Sequence, residues 1–218
     1  YDVAAAGENP LNFYLWAGMG CAAMIGLGLA LARPDRRVCV ITGDGEALMG
    51  LGSLATIGVK QPKNLSIVVL DNQHYGETGM QASHTQAGID LVAIAKAAKF
   101  KQALSITQMS EVANIRKLIH KEQGPHLIHA LIKSEDVPRV LPSRDGVDIK
   151  LKFQRALAGV LRFLERQGAR GDGRLDAFER RLGGIEFDHR LLTGGAQLVD
   201  RGARDREHRL AVLDRLTE

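Results

Sequence analysis

Two short apolar runs, residues 38–41 and 65–70, constrain this 218-residue chain more than any other feature. The first runs into Gly43-Asp44-Gly45 and the second into Asp71-Asn72. Runs of this length, rich in β-branched residues and closed by turn formers, read as buried parallel strands. Residues 46–59 between them suffice for a crossover helix, so the unit reads βαβ. Ligands of such units sit beyond the carboxyl ends of the strands. Asp44 and Asn72 would then emerge side by side at one sheet edge. Two hard oxygens beside glycines suit Mg²⁺, which keeps phosphate oxygens among its ligands. Gly43 and Gly45 would let backbone N–H groups approach a diphosphate.

Alternation resumes further along. Asp90 reads as the N-cap of a helix over 91–98, with a strand at 103–106, a helix at 109–122 and a strand at 125–132. The expected fold is α/β: a doubly wound, mostly parallel sheet with helices on both faces, carrying an irregular or partly helical C-terminal tail. Upstream, residues 1–12 read as irregular and 13–16 as a first strand. They feed Ala17-Gly18-Met19-Gly20 and an apolar helix stopped by Arg33-Pro34-Asp35. A glycine turn opening a helix is an anion-binding arrangement. A terminal helix is expected over 147–165.

Three blocks together carry a family resemblance. Gly43-Asp44-Gly45, twenty-five intervening residues and then Asp71-Asn72 form the first. The segment 17–20 with its apolar helix is the second, and Tyr75-Gly76-Glu77-Thr78-Gly79-Met80-Gln81 is the third. Over residues 13–159 the chain resembles the diphosphate-binding domain of thiamine-diphosphate (ThDP) enzymes, most of all phosphonopyruvate and sulfopyruvate decarboxylases. The resemblance implies that Asp44, Asn72 and the backbone carbonyl at His74 hold Mg²⁺. It implies that Met19 props ThDP in a bent conformation and that the Ala17 carbonyl holds its amino group. Gly18, Gly20, Gly43, Gly45, Glu46, Tyr75 and Gly76 fall at the same cofactor site. Spacing alone would equally allow Met19 a core role, and Asp44 and Asn72 roles in turns and caps. Glu46 would serve as well as a first-turn acid complementing a helix dipole.

Catalytic residues are less defined. Some decarboxylases of the wider family carry a glutamate where Thr78 stands, and Glu77 is one place off, so that role is not transferred. Thr78 and His84 remain candidates for contacting a 2-oxo acid with a second anionic head. The resemblance also implies a glutamate on a second, pyrimidine-binding domain or subunit, for which this chain has no room. The expected function is the Mg²⁺–ThDP-binding half of a 2-oxo acid decarboxylase, active only with that partner in a homo- or hetero-oligomer. An acetolactate-synthase-like carboligase part and a non-catalytic ThDP-binding or assembly subunit are the alternatives.

Composition narrows the remaining classes. Aromatics are 5% and no nucleic-acid-binding motif occurs, so neither DNA nor RNA is an expected partner despite a net charge of +4. The longest apolar run, 21–32, is too short to span a bilayer. Cys21 and Cys39, without metal-binding spacing, read as buried free thiols and suggest a cytoplasmic protein. Residues 1–159 read as one domain and 160–218 as an appended tail. From Arg155 onward there are thirteen Arg and no Lys, against six Arg and ten Lys before. An added segment, or translation in a shifted or extended frame, would give such a switch. Helical fragments are expected in it at 175–182 and 207–216.

Overall fold

The structure, a computed structural model, describes residues 1–135 and 138–159. The tail expectations, including the helical fragments, lie outside the described residues. The central sheet has four strands: β1 (Val38–Gly43), β2 (Leu65–Asp71), β5 (Gln102–Ile106) and β6 (His126–Leu131). Their spatial order is β1-β2-β6-β5 and every pairing is parallel. A two-stranded antiparallel ribbon, β3 (His74–Tyr75) with β4 (Gln81–Ala82), stands apart from it.

Side-chain alternation along the strands divides the apolar residues into two cores. Cys39, Ile41, Val68, Leu70 and Ile128 face one way. They meet α1 (Asp2–Ala6), α6 (Val112–Lys121) and α7 (Gly146–Leu157) through Val3, Ile115, Ile119 and Ile149. Val38, Val40, Ile67, Val69 and Leu127 face the other way. There they meet α2 (Ala22–Ala32), α4 (Gly52–Lys60) and α5 (Leu91–Ala97) through Leu27, Ile57 and Ala95. Helices therefore cover both faces, and each fully buried Ile, Leu or Val adds about 1.5–3 kcal/mol. α2 lies so close to β1 that a Cβ on Gly26 would come 2.2 Å from Val40 Cγ2. Asp90 caps α5, accepting from the N–H groups of Val92 and Ala93 at 2.8 and 2.9 Å.

Four local expectations are corrected. Residues 13–16 form no strand; they cross the fold as an irregular strap. Tyr14 is buried, Phe13 packs edge-on against Phe153 at 5.3 Å, and Trp16 Nε1 donates to the Ser143 carbonyl at 2.8 Å. Tertiary anchoring of the aromatic rings replaces ladder pairing. Residues 1–12 are not wholly irregular, because Val3, Ala4 and Ala6 drive α1 into the core. The crossover expected at 46–59 is two helices, α3 (Asp44–Met49) and α4, broken at Gly50. Cys21 is exposed, at the N-cap of α2, whereas Cys39 is buried.

Candidate active site

The site lies at the carboxyl ends of β1 and β2. Register sets Gly43 opposite Leu70, so Asp44 and Asp71 follow from adjacent strands, and Asn72 comes one residue later. A cavity of about 570 Å³ opens here. Of the residues singled out in the sequence, Met19, Gly43, Asp44, Gly45, Glu46, Asn72, His74, Tyr75, Gly76 and Thr78 line it. Ala17, Gly18, Gly20 and His84 do not.

The glycine turn at 17–20 acts behind the cavity. Ala17 takes a left-handed φ of 57° and Gly20 one of 84°. A Cβ on Gly50 would come 2.4 Å from the Gly20 carbonyl oxygen, so the turn and the α3–α4 junction meet backbone to backbone. Met19 is carried outward, 52% exposed, at the cavity wall. Met49 and Met80 are exposed on the same wall. Glu46 sits in the first turn of α3, yet its carboxylate is spent on other partners. Oε1 accepts from the Ala22 N–H at 3.0 Å, at the start of α2, and Oε2 accepts from the Thr42 hydroxyl. It ties α2 to β1 while lining the cavity.

Asp44 is 2% exposed. Burial raises its carboxyl above the usual range, Ser83 pulls it back, and the charge on Asp71 adds to the rise. Asp71 is completely buried. Burial acts upward on it too, but hydrogen bonds from His129, the Gln73 N–H and Thr85 bring its carboxyl below the usual range. Oδ2 accepts from His129 Nε2 at 2.6 Å, and Oδ1 accepts from the Gln73 N–H at 2.7 Å and the Thr85 hydroxyl at 3.0 Å. Thr85 Oγ1 also lies 3.5 Å from Asp44 Oδ2. Asp71 thus accepts from three donors at 3.0 Å or less, whereas Asp44 has Ser83 and the longer contact from Thr85.

Asn72 and His74 frame a tight turn about Gln73, whose φ is 62°. Asn72 Oδ1 accepts from the His74 N–H at 3.0 Å. His74 Nδ1 donates to the Asn72 carbonyl at 2.9 Å, and the His74 carbonyl accepts from the Gly76 N–H at 3.1 Å. Among the described residues no three His, Cys, Asp or Glu side chains gather into a metal-holding group. A cation here would draw on Asp44, an amide, a carbonyl and oxygens from a ligand.

His84 stands outside the cavity. Its Nδ1 is bonded to the Tyr75 hydroxyl, with the rings edge-on at 6.1 Å, so it braces Tyr75 from behind. Thr78 Oγ1 donates to Gln81 Oε1 at 3.0 Å. The sequence reading passed over Asp71, His129, Ser83 and Thr85 as site residues, and also Arg139, which lines the cavity and pairs with Glu77 at 3.2 Å. Asp71 was visible beside Asn72. His129 is fifty-eight residues from its partner, and only strand register joins them.

The model of the family described as thiamine pyrophosphate enzyme, C-terminal TPP binding domain, matches residues 3–130. The chain belongs to this family. It is 36% identical over 154 residues to sulfopyruvate decarboxylase subunit beta of Methanothermobacter thermautotrophicus, covering 70% of this chain and 78% of that one. The subunit beta of Methanocaldococcus jannaschii is 54% identical over 89 residues, covering 41% and 47%. Phosphonopyruvate decarboxylase of Streptomyces viridochromogenes is 38% identical over 141 residues, or 62% of this chain and 35% of that protein. Among the described residues no helix is long and apolar enough to cross a membrane.

Proposed function

We propose that this chain is the Mg²⁺–ThDP-binding half of a 2-oxo acid decarboxylase of the sulfopyruvate and phosphonopyruvate type. The observation that carries the reading is the imbalance between Asp44 and Asp71. A buried carboxylate at the wall of a cavity, held by Ser83 and by a long 3.5 Å contact from Thr85 but facing the charge of Asp71, is a place for a cation. Gly43 supports the fit. A Cβ there would meet nothing closer than the Leu70 carbonyl oxygen at 3.9 Å, so the fold itself does not require the bare backbone. A ligand brought against that backbone does.

In this reading Asp44, the Asn72 amide and the His74 carbonyl hold Mg²⁺, and the cation holds the diphosphate. Gly43 and Gly76 keep the backbone open to the phosphate oxygens, and Gly45 admits the Tyr75 ring beside them. Met19 offers an apolar wall for the cofactor's rings, Ala17 and Gly18 set the position of Met19, and Gly20 fixes the turn against Gly50. Glu46 joins α2 to β1 and so keeps the two walls in register. Tyr75, braced by His84, closes the side next to Gly45, and Thr78 stands at the rim toward substrate. Bound there, ThDP supplies the electron sink that allows a 2-oxo acid to lose CO₂. The subunits named beta among the relatives support a second chain completing the pyrimidine end of the site.

The test is titration of the purified full chain with ThDP, with and without Mg²⁺, beside Asp44→Ala. Metal-dependent binding that the variant loses is expected. Binding that ignores both the metal and Asp44 would overturn the proposal.

A further inference from the structure

Buried Asp71 and half-buried His129 form a pair that does not line the cavity. His129 lies on β6, opposite Ser105 on β5 and Val69 on β2. Its Nδ1 faces Ser105 Oγ at 2.9 Å and its Nε2 donates to Asp71 Oδ2 at 2.6 Å. From the other oxygen of Asp71 one contact continues to the Gln73 N–H at 2.7 Å and one to Thr85 at 3.0 Å. Ser83 Oγ stands 2.8 Å from Thr85 Oγ1, and the Ser83 N–H donates to the Gln73 carbonyl at 2.8 Å. A line of polar contacts thus runs from exposed Ser105 through buried Asp71 to the turn carrying Asn72 and His74.

Two facts give this line a task. Gln73 is held left-handed, a conformation strained for a residue with a Cβ. The Asp71 carboxylate bonded to its N–H offsets that strain. A bare second carboxylate beside Asp44 would also compete for any cation and distort its placement. The proton on His129 Nε2 anchors Asp71 away from the cavity.

We infer that His129, acting through Asp71, is a positioning residue for cation binding: it fixes the Asn72–Gln73–His74 turn and keeps Asp71 from the metal. The inference rests on the proposed Mg²⁺ site. Groups one contact removed from metal ligands change metal affinity by about 10–100-fold when lost, and His129 stands one contact further out.

The probe is Mn²⁺ with ThDP, followed by electron paramagnetic resonance on the full chain. Wild type, Asp44→Ala, His129→Leu, His129→Gln and Thr85→Val are compared, each with its thermal midpoint. His129→Leu is expected to weaken Mn²⁺ several-fold, up to about 10-fold. His129→Gln, which keeps an N–H toward Asp71, should recover most of that affinity, and Thr85→Val should weaken it at an unchanged far-ultraviolet spectrum. Wild-type affinity in His129→Leu overturns the inference, as does equal weakening in His129→Leu and His129→Gln. If His129→Leu does not fold, wild-type affinity in Thr85→Val overturns it. Mn²⁺ binding in wild type that Asp44→Ala loses leaves the proposed function standing in each of these cases; no Mn²⁺ binding in wild type overturns both.

Discussion

Tyr75 leaves no room for a side chain at Gly45: a Cβ there would sit 3.0 Å from its Cδ1 and 3.1 Å from its Cε1. Gly43, two residues earlier, has no such neighbour. The two glycines flanking Asp44 are therefore bare for different reasons. One makes space for an aromatic ring of the protein and the other for something outside it.

That difference separates two substitutions. Gly45→Ala must displace Tyr75 and, with it, the bond to His84, and should cost stability of about 1–3 kcal/mol. Gly43→Ala, at an extended φ of −95°, should leave the midpoint within about 0.5 kcal/mol of wild type. It should nevertheless weaken ThDP binding. Thermal melts and ThDP titrations of both variants check this, and full ThDP affinity in Gly43→Ala would contradict it.

Asp44 carries a second expectation. Its charge is opposed by burial and by Asp71, so Asp44→Asn removes a repulsion that a bound cation would otherwise relieve. Without metal the variant should melt higher than wild type. With Mg²⁺ and ThDP the order should reverse, because ligand binding raises the midpoint of the native chain alone. A variant less stable under both conditions would show that the carboxylate is structurally satisfied.

The cysteines should part company in a thiol assay. Burial pushes the Cys39 thiol up to about 12, while Cys21 is exposed at the start of α2. A disulfide reagent at pH 8 should titrate one thiol in the native chain and two in denaturant. Protection of both would mean that Cys21 is covered in solution, and reaction of both would mean that the β1 edge opens readily.

His126 gives the fold a pH dependence of predictable sign. Burial, its largest influence, lowers its pKa below 6.5; it is 1% exposed, with Nε2 donating to the Gln123 carbonyl and Nδ1 accepting from Ser66. The folded state therefore holds the neutral ring. Its contribution is full above pH 6.5 and declines as the pH falls below 6.5, where the unfolded chain takes up the proton first. Urea midpoints at pH 7.5 and 5.5 should differ less in His126→Gln than in wild type. Equal differences would assign the pH dependence to other groups.

The β1–β2 unit was legible in the sequence because its runs are short, apolar and punctuated, and the register follows from them. The N-cap signal at Asp90 and the apolar run at 125–132 placed α5 and β6 for the same reason. Residues 13–16 were misread because an apolar run with aromatics looks like a strand whether its rings pair across a sheet or dock singly. The break at Gly50 was invisible because the backbone it packs against, at Gly20, is thirty residues away. The candidate site was read where chemistry is local, at 43–45 and 71–76. His129 and Thr85 escaped because they reach the site through sheet order and a returning loop.

The register Gly43 opposite Leu70 has one further consequence. Asp44 and Asn72 owe their closeness to two neighbouring parallel strands, about 4.8 Å apart, and not to the connection between them. Insertions at the Gln61–Asn64 bend, away from the cavity, should pass without moving the pair. A single-residue deletion inside β1 would turn Asp44 to the other face and abolish it. The connector can therefore change length while the strands must keep their count.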